Sequence, residues 1–380
     1  MEAQQLRVAL FSGNYNYVRD GANQALNRLV EYLLRQGVAV RVYSPVTDTP
    51  AFPPAGHLVA LPSIPFPGRG EYRFPTGFSA AVRTDIAEFA PTLIHVSSPD
   101  VAGHSAVTLA RAHGLPVIAS VHTRFDTYPR YYGLTFLEPV LAAILRRFYR
   151  RCDAILAPSP SMAAVLLEQR MNFDAGIWSR GIDRTIFDPE HRDMAWRRSL
   201  GIADEEPVIG FIGRLVMEKG LQVFADTIDA LTARGVAHRV LVAGDGPARG
   251  WFEERLPGAV FLGHRSGQDL GRAIASMDML LNPSITETFG NVTQEALACG
   301  IPVIGADAAG TSDIIEDGVT GRLIQPDDIE GYASAIAGWC ADPGARKAAG
   351  KAGAAYAADK TWDNVNKAVL DTYLRLSTAR

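Results

Sequence analysis

Two doubly wound α/β domains, each built on a parallel sheet, are what this sequence predicts. Short apolar runs alternate with helix-length segments along the whole chain, the signature of parallel sheets covered by helices. The alternation is interrupted around Ser179–Pro189, by Arg-Gly-Ile-Asp and then Asp-Pro, and afterwards begins again. With 380 residues, the chain is long enough for two domains that each bury a core.

In chain order, the first half reads as strands at Leu6–Phe11, Val38–Tyr43, Leu93–Val96, Pro116–Val121 and Ala154–Ala157. Helical patterns lie between them, at Asn23–Arg35 and Ala102–His113 among others, and the proline-rich Pro50–Pro67 reads as an ordered surface loop. The second half repeats the scheme with strands at Pro207–Ile212, Arg239–Ala243, Val260–Leu262, Met279–Leu281 and Pro302–Ile304. Thr361–Leu376 closes the chain as an amphipathic helix with Trp362, Val365, Val369, Tyr373 and Leu376 on one stripe. The expected division is residues 1–185, residues 186–360, and a helix of residues 361–380 that returns to the first domain. Ligands of open α/β sheets bind at the carboxyl ends of strands, so two such domains facing a cleft would present those ends to it.

Composition narrows the function classes. A 47% hydrophobic, 21% charged chain is an ordinary globular protein, which excludes disorder and collagen-like repeats. Net charge is −4, with residues 1–185 at +4 and the remainder at −8; that does not suit a nucleic-acid binder, but it does suit two domains with different partners. Cys152, Cys299 and Cys340 stand far apart with no metal-ligand spacing, so reduced thiols in a cytoplasmic protein are expected. No leader segment and no membrane-length apolar stretch is visible, and any membrane association is expected to be peripheral. Arginine outnumbers lysine 32 to 5, and Lys219 is the first lysine of the chain, which makes that position conspicuous.

Chemistry-bearing motifs concentrate at predicted strand ends. After Val208–Ile212 comes Gly213-Arg214-Leu-Val-Met-Glu-Lys219-Gly220, where glycines leave room for a ligand and an arginine fork with a lysine point charge suits a diphosphate. After Met279–Leu281 comes Glu287-Thr-Phe-Gly-Asn-Val-Thr-Gln-Glu295. There Glu287 falls in a loop and Glu295 about a turn and a half into a helix starting near Phe289. That helix N-terminus offers free amides to an anion, and the carboxylates on either side can accept sugar hydroxyl protons. No Asp-x-Asp metal motif is present.

Together with Gly244-Asp-Gly-Pro247, Phe261-Leu-Gly263, Ala298-Cys-Gly-Ile-Pro-Val-Ile304 and Asp317-Gly-Val-Thr-Gly321, these motifs resemble those of retaining glycosyltransferases of the GT-B fold, sequence family four. The resemblance implies that Arg214 and Lys219 hold the diphosphate of a nucleotide sugar, which is a substrate, and that no cofactor or metal is needed. It implies further that Glu295 binds the ribose and that Glu287, with the amides of Phe289, Gly290 and Asn291, holds the hexose. His264 would border the base, His122 would lie beside the donor sugar, and Gly21 would approach the diphosphate. Ala22 stands where the family more often has a second glycine.

His122-Thr-Arg-Phe-Asp-Thr-Tyr-Pro-Arg-Tyr-Tyr-Gly133 and Trp178-Ser-Arg-Gly-Ile-Asp183 are similar to segments of bacterial sulfoquinovosyl-diacylglycerol synthase-type lipid glycosyltransferases. Between them, Leu137, Val140, Leu141, Ile144, Leu145 and Phe148 share one helical face, with Arg146, Arg147, Arg150 and Arg151 on another. These arginines and Arg124 make an acceptor-side surface suited to anionic lipid. The expected reaction is transfer of a hexose or its derivative from a nucleoside diphosphate, UDP foremost, to a diacylglycerol- or ceramide-type lipid. A soluble or polysaccharide acceptor, a nucleotide-sugar epimerase and a periplasmic-type sugar-binding protein are the other readings.

Overall fold

The computed structural model describes residues 2–18, 20–66, 69–122, 135–287 and 289–378. They form two compact units, Met1–Gly181 with Trp362–Arg380, and Ile182–Thr361.

In the first unit the strands are β1 (Arg7–Phe11), β2 (Ala39–Ser44), β3 (His57–Ala60), β4 (Ser63–Phe66), β5 (Arg69–Pro75), β6 (Leu93–Val96), β7 (Val117–Ser120), β8 (Ala154–Ala157) and β9 (Ala175–Ile177). Its helices are α1 (Gly21–Arg35), α2 (Ala80–Phe89), α3 (Val101–Ala112), α4 (Glu138–Tyr149) and α5 (Pro160–Glu168), and the chain's last helix, Trp362–Thr378, packs on α1. Seven strands form a parallel sheet in the order β3-β2-β1-β6-β7-β8-β9, while β4 and β5 make a separate antiparallel hairpin.

Strand residues of alternating parity supply two cores, as a sheet covered on both faces requires. Phe11, Val96, Ala119 and Ile155 pack with Val82, Ala106 and Phe148 on one face. Leu10, Val42, Ile118 and Leu156 pack with Leu29, Trp178, Val369 and Tyr373 on the other. Two readings are corrected here. Pro50–Pro67 is not simply a loop, because it contains β3, paired in parallel with β2, and β4. The apolar face read over Leu137–Phe148 is divided, with Leu145 and Phe148 in the core while Val140 and Ile144 of α4, and Leu137 just before it, are exposed.

The second unit has β10 (Val208–Ile212), β11 (Arg239–Ala243), β12 (Val260–Gly263), β13 (Met279–Asn282), β14 (Val303–Ala306) and β15 (Gly321–Ile324). They form a parallel sheet in the order β12-β11-β10-β13-β14-β15. Its helices are α6 (Met194–Ser199), α7 (Leu221–Ala233), α8 (Arg249–Arg255), α9 (Gly267–Ala275), α10 (Asn291–Ala298), α11 (Ile329–Ala341) and α12 (Pro343–Ala357), and Trp362–Thr378 of the first unit is α13. Phe211, Phe224 and Phe252 meet edge to face at 5.4–5.5 Å and anchor one core. Val208, Leu280 and Val303 pack with Phe289 and Leu297 in the other. A buried ion cluster fastens this unit at the amino ends of its strands: Asp278 accepts from Arg192 at 2.8 Å and from the fully buried Arg197 at 2.9 Å.

Strand order reverses between β1 and β6 in the first sheet and between β10 and β13 in the second. A doubly wound sheet opens a crevice at the carboxyl ends of the strands at such a reversal.

Candidate active site

At the reversal in the second sheet, the loop after β10 and the loop after β13 are drawn together. Gly220, with φ +74°, caps α7, and a Cβ there would come within 2.9 Å of the Pro283 carbonyl oxygen. Only glycine permits that approach in that conformation. Thr286 reinforces it by donating its hydroxyl to the Glu218 carbonyl at 3.2 Å. In consequence Lys219 and Glu287, 68 residues apart, meet: Lys219 Nζ donates to Glu287 Oε1 at 2.6 Å, with both side chains roughly three-quarters buried. From the other side, Gly310 lies against Glu287. Its φ is +85°, and a Cβ there would stand 2.7 Å from the Glu287 carbonyl oxygen.

Arg214 stands exposed in the same loop, with no side-chain partner among the described residues. The loop is braced on Gly244-Asp-Gly-Pro247, since Leu215 N–H donates to the Asp245 carbonyl at 2.9 Å and Gly213 N–H to the Ala243 carbonyl at 3.1 Å. His264 follows β12 at the surface.

Helix α10 starts at Asn291, two residues later than the sequence pattern suggests. Gly290, at φ +82°, occupies the N-cap and cannot itself belong to the helix. No described side chain caps this end, where Asn291 is exposed and Phe289 is buried beneath. Glu295 lies on the second turn. Burial raises its carboxyl to about pKa 8, and no described residue pairs with its side chain. The loop after β13 and the helix that follows it thus carry a carboxyl raised by burial and a positive helix end, and the loop after β10 an exposed guanidinium and an ammonium held by Glu287. That combination suits a polyhydroxylated diphosphate.

In the first unit, His122 follows β7. Its Nε2 is 2.9 Å from Ser120 Oγ, and Arg180 Nη2 donates to its Nδ1 at 3.1 Å. Beyond Ser120, His95 Nε2 lies at 2.9 Å, and His95 Nδ1 meets the Tyr373 hydroxyl at 2.6 Å. Burial, then the charge of Arg180 and then His95, hold His122 well below the ordinary histidine value, and burial alone brings His95 to about 3. Both rings are therefore neutral at physiological pH. Gly21 opens α1, but the carboxylate of Asp20 already caps that helix by accepting from Asn23 N–H at 2.8 Å.

Arg124 and the segment around it, residues 123–134, lie outside the described residues. Of the other arginines expected at an acceptor surface, Arg146 donates Nε–H to the Gln169 carbonyl and Arg150 to the Arg170 carbonyl, at 2.8 and 2.9 Å. Both bonds fall at the C-terminal end of α5, where cations are favoured. Arg151 donates to Thr108 Oγ1 at 2.7 Å. Arg147 is exposed. Arg180, Ser120, His95, Tyr373 and Gly310 escaped the sequence-based choice of site residues. Of these only Arg180 carried a signal, in the Trp178-Ser-Arg-Gly segment.

Two glycosyltransferase family models match the chain. Residues 19–185 match the family described as Glycosyltransferase Family 4, and residues 206–342 the family described as Glycosyl transferases group 1. A GDP-mannose-dependent alpha-mannosyltransferase of Corynebacterium glutamicum is 30% identical over 97% of this chain and 88% of its own. The sulfoquinovosyl transferase SQD2 of Arabidopsis thaliana is 30% identical over 91% and 69%. An alpha-monoglucosyldiacylglycerol synthase of Streptococcus pneumoniae is 25% identical over 84% and 75%. Among solved structures, Anabaena HepE in complex with UDP superposes with a TM-score of 0.76 at 18% identity, over 97% of this chain and 100% of that one. With two parallel Rossmann-like sheets and these matches over most of its length, the chain belongs to the GT-B glycosyltransferases of family four.

Proposed function

We propose that the protein transfers a hexose, with retention at the anomeric carbon and without a metal ion, from a nucleoside diphosphate sugar to a membrane lipid. The observation that carries the donor half is the meeting of Lys219 with Glu287 at one strand-order reversal, where the exposed Arg214 and the start of α10, capped by no described side chain, also lie. Arg214 and Lys219 receive the diphosphate, which releases Glu287 from its ion pair to accept hydroxyl protons of the hexose, while Glu295 takes the ribose and His264 borders the base. As the bond from the anomeric carbon to the phosphate oxygen breaks, negative charge accumulates on the departing diphosphate, and the two cations stabilise it. The acceptor oxygen bonds to the same face of that carbon, and its proton passes to the departing phosphate. His122 serves the acceptor side as a neutral ring.

For the lipid acceptor, the support is Phe136, Val140 and Ile144. Phe136, just before α4, and Val140 and Ile144 on it are 70%, 55% and 49% exposed, and with Arg147 of the same helix they suit the cytoplasmic face of an anionic membrane. The diacylglycerol named for the streptococcal relative points the same way. No helix among the described residues is long and apolar enough to cross a membrane.

UDP is the nucleotide read from the sequence resemblance, and the UDP bound to HepE supports it. GDP-mannose is a second reading, favoured by the Corynebacterium relative. Thermal shifts against UDP, GDP and ADP sugars separate the two, since a donor at 100 times its Kd stabilises by about 2.7 kcal/mol. With that donor, Lys219→Ala should lower turnover on the order of ten- to a thousand-fold; a variant within a few-fold of wild type refutes the diphosphate assignment. Co-sedimentation with anionic vesicles at low salt tests the membrane: activity on soluble sugars without sedimentation would establish a soluble acceptor instead.

A further inference from the structure

Arg180 is the feature of the first unit that the proposed reaction leaves without a task. An arginine side chain has donors and no acceptor, so the nitrogen that it meets must carry a lone pair. Arg180 Nη2 lies 3.1 Å from His122 Nδ1, which excludes a proton there; the single ring proton is on Nε2 and is donated to Ser120 Oγ at 2.9 Å. An unassisted neutral imidazole chooses between two tautomers, and its choice is set by the bond that the other nitrogen makes. Here the choice is made by a guanidinium.

The guanidinium is itself held. Arg180 is 7% exposed, its charge is offset by Asp20 at the start of α1, and it lies 5.8 Å over the ring of Trp178. Trp178, fully buried, presents its ring at 72° to His122, 5.4 Å away, and ties itself to α13 by donating Nε1–H to Asn366 Oδ1 at 3.1 Å. Gly181 then lets the chain pass against Trp362, whose Cα would lie 2.5 Å from a Cβ at that position. Each member of Trp178-Ser-Arg-Gly181 except the serine thus has a physical reason that runs through His122 or α13.

We propose that Arg180 is the positioning residue of His122: by bonding Nδ1 it fixes the ring as a rigid, neutral, Nε2-protonated group that exchanges no proton with substrate. The proposal rests on the reading of His122 as an acceptor-side residue, and it makes that residue a wall and a hydrogen-bond anchor rather than an acid or a base. The charged and titratable groups around the ring among the described residues are Arg180, Asp20 behind it, His95 across Ser120, and Tyr373 behind His95. None of them places an acceptor on Nδ1.

The test is nitrogen NMR of the full chain labelled at histidine, with His122→Gln identifying the His122 signals among eight histidines. Wild type should show one Nε2–H tautomer that does not titrate between about pH 5.5 and 8.5. Arg180→Met should release the ring into a mixture of tautomers, and Arg180→Lys, which returns a donor, should restore the single form. A wild-type His122 protonated on Nδ1, or one that titrates in that range, overturns the proposal even if the variants do not fold. An Arg180→Met protein that keeps the wild-type tautomer overturns it equally. Once a donor is known, the ratio of Arg180→Met to wild-type transfer should fall about ten-fold per pH unit below the new His122 value, a comparison that cancels every titration the two proteins share. The NMR result needs no transfer activity, so failure of the proposed reaction and failure of the Arg180 assignment give different outcomes.

Discussion

Replacing Glu295 by Gln tests the least ordinary carboxyl of the donor half. Burial lifts Glu295 from an ordinary 4.5 to about 8. Between these values the folded protein keeps a proton that the unfolded chain releases, so folding is favoured by that proton at low pH. The contribution is fully present below about 4.5 and is lost as pH rises through about 8. At 1.36 kcal/mol per pH unit, the span amounts to roughly 4–5 kcal/mol, and the part of the side chain that stays in water reduces it to about 2–3 kcal/mol. The glutamine has no such proton to lose. Urea unfolding of both proteins from about pH 5 to 9, plotted as a difference, cancels every titration that they share. Wild type should lose about 2–3 kcal/mol relative to Glu295→Gln across that range, and a difference flat within about 0.5 kcal/mol refutes the burial argument.

On the proposed function, the same carboxyl reports on the ribose. With the carboxyl raised to about 8, the neutral acid predominates at pH 7. A ribose that donates both hydroxyls favours the carboxylate, so donor binding should release close to one proton and tighten about ten-fold per pH unit up to about 8. Calorimetry in two buffers of different ionisation enthalpy reads this directly. Proton-neutral, pH-independent binding of a nucleotide sugar removes Glu295 from the ribose contact while leaving the stability prediction standing.

Gly310→Ala should cost about 1–3 kcal/mol and weaken donor binding, because it combines a left-handed residue with a Cβ 2.7 Å from the Glu287 carbonyl. Gly258→Ala, where nothing lies within 4 Å of the new Cβ, should leave both stability and donor titration near wild type. Asp278→Ala should cost about 3–5 kcal/mol at pH 7 by urea unfolding, since it strands the fully buried Arg197. Burial raises the Asp278 carboxyl, but Arg192 and Arg197 outweigh it and hold it below the ordinary value. Its contribution is therefore complete above about pH 4, fades as pH falls through the depressed value, and should vanish from the acid limb of the variant.

What was legible in the sequence was what is local along the chain. The strands near each sheet's centre are short runs of apolar residues buried on both faces, and they read as such. His57–Ala60 and Gly321–Ile324 did not: the first is an edge strand with no buried position inside a proline-rich stretch, and the second an edge strand interrupted by the exposed Arg322. The motifs proposed to hold the donor were readable for the same reason: Arg214 and Lys219 share one loop, and Glu287 and Glu295 flank one helix start. The contacts that complete each site were not. Lys219 meets Glu287 across 68 residues, Arg180 meets His122 across 58, and Tyr373 meets His95 across 278. Single histidines and tyrosines have no spacing pattern to announce them, and only the folded sheet brings them to the same strand ends.

The conspicuous lysine acquires a reason from that geometry. In a chain that spends arginine almost everywhere, position 219 faces Glu287 through one oxygen at 2.6 Å, in a gap narrowed by Gly220 on one side and Gly310 on the other. A guanidinium prefers two parallel bonds to a carboxylate and would hold Glu287 as a rigid fork. An ammonium is a compact point charge whose three protons can be shared among oxygens, so it can leave one carboxylate oxygen for a phosphate oxygen at small reorganisation. In the proposed reaction the exposed Arg214 supplies the fork, and Lys219 the charge that changes partners. The ion pair keeps two charges, each roughly three-quarters buried, compensated. On the proposed function, the exchange of that pair for a diphosphate frees the carboxylate that would hold the sugar.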